Sequence, residues 1–408
     1  MNNSALLSFL CLFALLHQSL AASPQFNVIQ FGAKPDGRTD STSAFLAAWK
    51  QACSSTRGVT LYVPKGRFLT RSMLFKGPCR NSAIFIRIDG TLVAPSDIWA
   101  IGNNPNWIEF QYVNGVTISG GVLDGKGAPL WSCKLAGRKC PTGATVLTNY
   151  SSTNLFFVFF SGKQTLGFSF CNNVLVSGVT SLNSQMFHVV INFCRNVKLQ
   201  GVRISAPGNS PNTDGIHIQM STGVTVVNTK VATGDDCVSI GPGAANLRIE
   251  NFACGPGHGI SIGSLGKNVN EPGVQNVTVK STTFTGTTNG LRIKSWGKPS
   301  NGFARNILFQ HATMNNVQNP IFIDQRYCPD RNCPDTASGV RVSDVTYQDI
   351  HGTSATQVAV NFDCSKRNPC KGIRLDNVRL TYNSKPAVAS CANADGTTIG
   401  LVQPGSCL

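Results

Sequence analysis

An all-β fold, a single-stranded right-handed parallel β-helix with a short N-terminal capping helix, is predicted by three observations. Strand-sized segments in which Val, Ile and Leu alternate with polar residues recur from residue 107 onward, broken by Asn and Gly. Such period-two alternation between turn residues is the signature of half-buried strands. One element returns at a fixed step, since Ile216, Val238 and Ile260 lie 22 residues apart and Leu291 continues the series past a longer insertion. Helical periodicity of any length is almost missing. A period in this range marks stacked turns; a leucine-rich repeat needs a Leu/Asn consensus that the chain lacks, and a propeller blade is about twice as long.

In chain order, residues 1–22 come first, running through Leu6, Leu7, Phe9, Leu10 and Leu12 to small residues at Ser19, Ala21 and Ala22. This reads as a cleaved secretory signal, although no Lys or Arg supplies the usual positive start. The apolar run is too short to span a bilayer, and no later stretch reaches roughly 20 apolar residues, so no membrane partner is expected. Residues 23–408 then read as a single β-helix domain. They exceed the roughly 250–300 residues at which one globular core stops growing, yet show no linker, and a quasi-one-dimensional repeat resolves that tension. Behind Thr39-Asp40-Ser41, the spacing of Phe45, Trp49 and Cys53 predicts a short amphipathic helix that caps the first coil.

The coils follow, in segments such as Trp107-Ile108-Glu109-Phe110, Val174-Leu175-Val176, Val197-Lys198-Leu199, Val224-Thr225-Val226 and Val277-Thr278-Val279. Removal of the leader takes away Cys11 and makes the 15 cysteines an even set. In a secreted chain that points to disulfides, with several buried free thiols as the alternative. Spacing pairs Cys171 with Cys194, about one coil apart, and Cys328 with Cys333, within one loop. Cys364, Cys370, Cys391 and Cys407 are expected to staple the last turns. Sequons at Asn149-Tyr150-Ser151 and Asn276-Val277-Thr278 fit the same compartment.

The net charge of +16 favours a polyanionic partner. Charged residues are only 13% of the chain, against roughly 25% in an average domain, and dense Lys/Arg runs are absent. Nucleic acid is therefore not the expected partner.

The 22-residue step carries the chemistry. Asp214, Asp236 and His258 are one period apart, so they should form a column on coils roughly 4.8 Å apart, with Asp235 beside it. Crowded carboxylates repel and raise one another's pKa, a cost that points to function. Any single Asp here could instead bind Ca²⁺ or cap a turn. Glycoside hydrolysis uses such a cluster, one carboxyl holding a proton for the leaving oxygen while another activates water. Arg292 and Lys294, two apart on one strand, leave the same face. They can either neutralise the carboxylates or grip an acidic sugar. His188 and His217 read as half-buried or cleft-edge residues, His217 the one nearer substrate.

At these residues the chain resembles the polygalacturonase family of glycoside hydrolases, in its plant branch. Four segments stand in the family's order: Asn212-Thr213-Asp214-Gly215, Gly234-Asp235-Asp236-Cys237, Gly257-His258-Gly259 and Arg292-Ile293-Lys294, with Tyr327 beyond them. The resemblance extends from Phe31-Gly32-Ala33 to the terminal cysteines. It implies that Asp235 is the general acid, that Asp214 and Asp236 hold and deprotonate the attacking water, and that His258 tunes the acid. It further implies that Arg292 and Lys294 bind the galacturonate carboxylate, that Tyr327 contacts the sugar, that Asn212 lines the cleft, and that Cys237 pairs with Cys254. No metal or cofactor is implied.

The expected activity is hydrolysis of pectin or polygalacturonate with inversion, in the extracellular space or cell wall, by a monomer. Two other readings stand beside it: a Ca²⁺-dependent pectate lyase, and a non-catalytic wall-binding protein on the same scaffold. Insertions at Trp131–Asn154 and Leu265–Gly273, which could block one end of the cleft, lean the expectation slightly toward exo attack.

Overall fold

The computed structural model describes residues 24–101, 106–141, 164–329, 333 and 337–408. The leader 1–22, the sequon at Asn149 and the Trp131–Asn154 insertion beyond residue 141 lie outside them.

Among the described residues, strands pair in parallel with the strand one turn later, forming an 11-stranded and a 20-stranded sheet that wind into a right-handed parallel β-helix. The pairings Ile216↔Val238, Val238↔Ile260 and Ile260↔Leu291 reproduce the series read from the sequence. Those four side chains are fully buried, as is the parallel inner row Ile218, Ile240, Ile262, Ile293 and Ile323. Burying each contributes roughly 1.5–3 kcal/mol, so the sequence repeats because the core does. Alternate positions leave the other face of the strand. There His217, Ser239, Ser261 and Arg292 are in register, and the sheet presents a polar outer surface.

Coiling starts before residue 107, with Val59↔Ile84 and Ile84↔Val116. These steps of 25 and 32 residues match neither each other nor 22, so no period reveals them. At one corner Asn246, Asn276 and Asn306 take φ of 57°, 57° and 55°, a left-handed conformation that Asn tolerates. Asn276 Nδ2 donates to Asn246 Oδ1 at 2.9 Å, and Asn306 Nδ2 donates to Asn276 Oδ1 at 3.3 Å. The second sequon thus lies within a side-chain ladder.

The predicted capping helix spans Thr42–Ser54 and buries Phe45, Ala48, Trp49 and Ala52. Phe45 meets Phe68 edge-on at 5.8 Å, and Trp49 packs on Phe75 at 5.2 Å. Asp40 Oδ1 accepts the Thr42 N–H at 3.0 Å, and Cys53–Cys79 ties the far end to the first coils. The last turns carry Cys364–Cys370 and Cys391–Cys407, and Cys328–Cys333 closes its loop. A second helix, Ala128–Leu135, is followed by the clip Cys133–Cys140. Among the described residues no helix is long and apolar enough to cross a membrane.

One expected bridge is absent: Cys171 and Cys194 are buried free thiols. They precede the paired residues Asn172↔Arg195, so their side chains leave adjacent coils in parallel at roughly 4.8 Å. A disulfide needs Cβ atoms that converge to roughly 3.5–4.5 Å. Each thiol instead donates to backbone, Cys171 Sγ to Phe110 O at 3.3 Å and Cys194 Sγ to Asn192 O at 3.3 Å.

Candidate active site

The candidate residues lie on the 11-stranded sheet or at the entrances to its strands. Asp214 stands two residues before the strand Ile216–Gln219, Asp236 two before Val238–Ile240, and His258 two before Ile260–Leu265. Gly215 N–H donates to Asp236 O at 2.9 Å, which puts Asp214 and Asp236 at matching positions on adjacent coils, as the period requires. The turns carrying them are pressed together. A Cβ on Gly234 would come within 2.1 Å of Ser210 O, and Cys237–Cys254 pins the strand that follows Asp236.

His258 departs from the expected column, since Cys237 N–H donates to Gly259 O at 2.8 Å rather than to the His258 carbonyl that a matching position would offer. Gly259, at φ 85°, sits where a Cβ would lie 2.1 Å from Asn289 O, so the flanking glycine permits a bend that other residues resist. The His258 ring turns to Asp235, with Nδ1 3.1 Å from Oδ1. That same oxygen accepts the Asp236 N–H at 2.8 Å. Asp235 is the most open of the three acids, its side chain 22% exposed against 2% for Asp236.

The two buried acids are driven in opposite directions. Asp236 accepts from Ser261 Oγ at 2.9 Å and Arg292 Nη2 at 2.8 Å on one oxygen, and from Lys294 Nζ at 2.7 Å on the other. Burial alone would raise its pKa, but Lys294 and Arg292 outweigh that and hold it below the usual carboxylate range. Asp214 accepts from Ser239 Oγ at 2.7 Å and, among the described residues, has no such cations in hydrogen-bond contact. Burial, followed by the charges of Asp235 and Asp236, pushes its pKa well above the usual range. Neighbouring carboxyls with divergent proton affinities are what acid and base roles require.

Arg292 and Lys294 therefore take up the neutralising role open to them in the sequence. Arg292 also donates through Nε to Ser261 Oγ at 2.9 Å. A guanidinium has five N–H donors and an ammonium three, so both retain capacity for a ligand. Tyr327 flanks them, its ring centroid 5.0 Å from Lys294 Nζ and 5.3 Å from the Trp296 ring. Asn212, at φ 56°, accepts from Lys134 Nζ at 3.4 Å.

Ligand atoms of Asp235, Asp236 and His258 lie within 4.8 Å of one another, a spacing that a metal ion could use. The donor set argues against one, because both Asp236 oxygens are already bonded to cations and a third positive charge would be repelled.

Ser239, Ser261 and Lys134 were not singled out in the sequence. The serines were detectable, being one 22-residue step apart and paired in register; Lys134 lies outside the repeat and carried no signal. His217, expected to be the one of the two nearer substrate, is buried, 6% exposed, and its Nδ1 lies 2.7 Å from Ser239 Oγ, which links it to Asp214. Burial lowers its pKa to about 4. His188 is wholly buried against Ser181 Oγ at 2.8 Å, and burial lowers its pKa to about 3, so it is neutral.

Residues 53–403 match the sequence profile of glycosyl hydrolases family 28. The chain is 62% identical to a polygalacturonase of Prunus persica over 410 residues, covering 100% of both. It is 42% identical to an exopolygalacturonase of Platanus acerifolia, covering 93% of this chain and 96% of that one. A solved exopolygalacturonase from Thermotoga maritima superposes with a TM-score of 0.76 at 23% identity, over 93% of this chain and 92% of the other, and shares the fold.

Proposed function

The chain belongs to glycosyl hydrolases family 28, and from that premise we propose that this glycosidase hydrolyses α-1,4 galacturonosyl linkages of pectin by inversion. Asp235, the most open acid of the cluster, protonates the leaving oxygen. Asp214 and Asp236 hold the attacking water. The opposed environments of the two carry the reading: Asp236, kept ionised by the cations on both its oxygens, supplies the negative charge that orients and activates the water, while Asp214, bonded to Ser239, shares in holding it. His258 tunes the acid through its contact with Asp235. Arg292 and Lys294 use their remaining donors on the carboxylate of the bound sugar, and Tyr327 packs against the ring.

The enzyme is secreted, acts on cell-wall galacturonan as a monomer and needs no metal. Relatives at 42% identity from Platanus acerifolia and Arabidopsis thaliana are exopolygalacturonases, which supports attack from a chain end.

One digestion of long unesterified galacturonan tests these points together. The wild-type protein should release reducing ends with chelator present, yield monomer before any ladder of oligomers, and form no product absorbing in the ultraviolet. Asp235→Asn should lose roughly 10²–10⁴-fold in kcat while binding the polymer as before. Unsaturated products would replace this reading with elimination. Unchanged turnover in the variant would remove Asp235 from the role of acid.

A further inference from the structure

We propose that Lys134 binds the carboxylate of the galacturonate on the far side of the scissile bond from Arg292 and Lys294, so that the cleft reads two successive acidic groups. This deepens the proposed hydrolysis of galacturonan and rests on it.

The cations flank the carboxylates along the solenoid axis. Arg292 and Lys294 sit on the strand Asn289–Trp296, two coils beyond the one Asp235 enters, hence roughly 10 Å along the stack. Lys134 lies on the opposite side. Its Nζ contacts Met186 Sδ and donates weakly to Asn212 Oδ1 at 3.4 Å, and both residues belong to turns one and two coils before that of Asp235. A polymer of acidic sugars laid along this axis places a carboxylate on each side of the bond over Asp235.

Lys134 is also built into its place and lacks a counter-ion. It projects from the helix Ala128–Leu135, which is seated by Trp131 Nε1 donating to Ser184 O at 3.2 Å and clipped through the adjacent Cys133 to Cys140. A Cβ on Gly127 would lie 2.6 Å from Ser184 O, so the helix start is packed directly on the coil. No carboxylate of the described residues pairs with Lys134, whereas Arg292 and Lys294 both pair with Asp236. Burial lowers its pKa, and the charge that opposes this is that of Asp235. A half-buried ammonium with a thioether and a long amide contact as partners is poorly satisfied. A carboxylate ligand would supply what it lacks.

The discriminating substrate is galacturonan carrying either free acids or methyl esters. Lys134→Met keeps the apolar stem beside Met186 and removes the charge; Lys134→Arg keeps the charge. With free-acid substrate, Lys134→Met should raise KM and lower kcat/KM by roughly 10- to 100-fold, the loss expected for one charged hydrogen bond. Lys134→Arg should recover most of it. On heavily methyl-esterified substrate the wild type and Lys134→Met should be alike within about threefold. A Lys134→Met loss that is equal on both substrates overturns the proposal, as does a displaced pH–rate profile with the acid preference intact, which would make Lys134 an electrostatic neighbour of Asp235. A melting temperature lowered with unchanged kinetics would leave it a structural residue only. Absence of hydrolysis by the wild type would instead refute the proposed function itself.

Discussion

The acids of the cluster sit in opposed environments at the level of single residues, and stability should report it. The folded pKa of Asp214 is raised, so its contribution is present below the unfolded value of roughly 3.9 and is lost as pH rises through the folded one. Asp236, lowered, contributes above the unfolded value and loses that contribution as pH falls through the folded one. Asp214→Asn keeps an acceptor for Ser239 and removes the repelled charge. The variant should therefore be inactive yet more stable at pH 7 than the wild type, with the gain fading toward pH 4. Calorimetry at both pH values checks this; a lower melting temperature at pH 7 would contradict the electrostatic picture. The identities of these acids were legible because their spacing equals the core period. The turn of His258 toward Asp235 was not, since it depends on how Gly259 lets the backbone leave the column. Nor was the capture of Arg292 and Lys294 by Asp236, because a sequence shows that two cations share a face without showing what that face meets.

Single coils set what could be read at the next scale up. Where turns have equal length, as from Ile216 to Ile260, inward Ile and Val recur at fixed spacing and the strand register follows from the sequence. The earlier coils have unequal turns, and Val59, Ile84 and Val116 stack without any period to announce it. The cap was legible because a helix lying on a coil end needs an apolar stripe, here Phe45 and Trp49. The reading of Cys171 with Cys194 failed for a reason that belongs to stacked coils: equal angular position makes side chains parallel, whereas a disulfide needs them to converge. Protein lacking residues 1–22 should accordingly show two thiols on titration with an aromatic disulfide after denaturation and almost none while folded. Detection of none in the denatured, unreduced chain would mean that the pair is bridged after all.

Across the whole molecule, a solenoid converts a linear period into a linear site. Acids, cations and the aromatic Tyr327 occupy successive coils of one sheet, so a linear polymer can meet them in order along the axis. A net charge of +16 over the whole chain suits an anionic partner. Fold and cluster could both be read from the repeat, whereas Lys134 comes from an inserted helix that only the folded chain brings to the cleft. The stereochemistry of the reaction is the claim on which the division of labour rests. The nearest ligand atoms of Asp235 and Asp236 lie within 4.8 Å, closer than the roughly 6.5–9.5 Å between carboxyls usual for inverting pairs. The proposed inversion depends on a water held jointly with Asp214, because both oxygens of Asp236 are occupied by cations and serine and are poorly placed to attack carbon. Proton NMR of the first product formed from an α-linked galacturonan, recorded before mutarotation, decides the matter. The β-anomer should appear first and the α-anomer only as it equilibrates; an α-anomer formed first would mean a covalent intermediate and would contradict the assignment of Asp214 and Asp236 as holders of water.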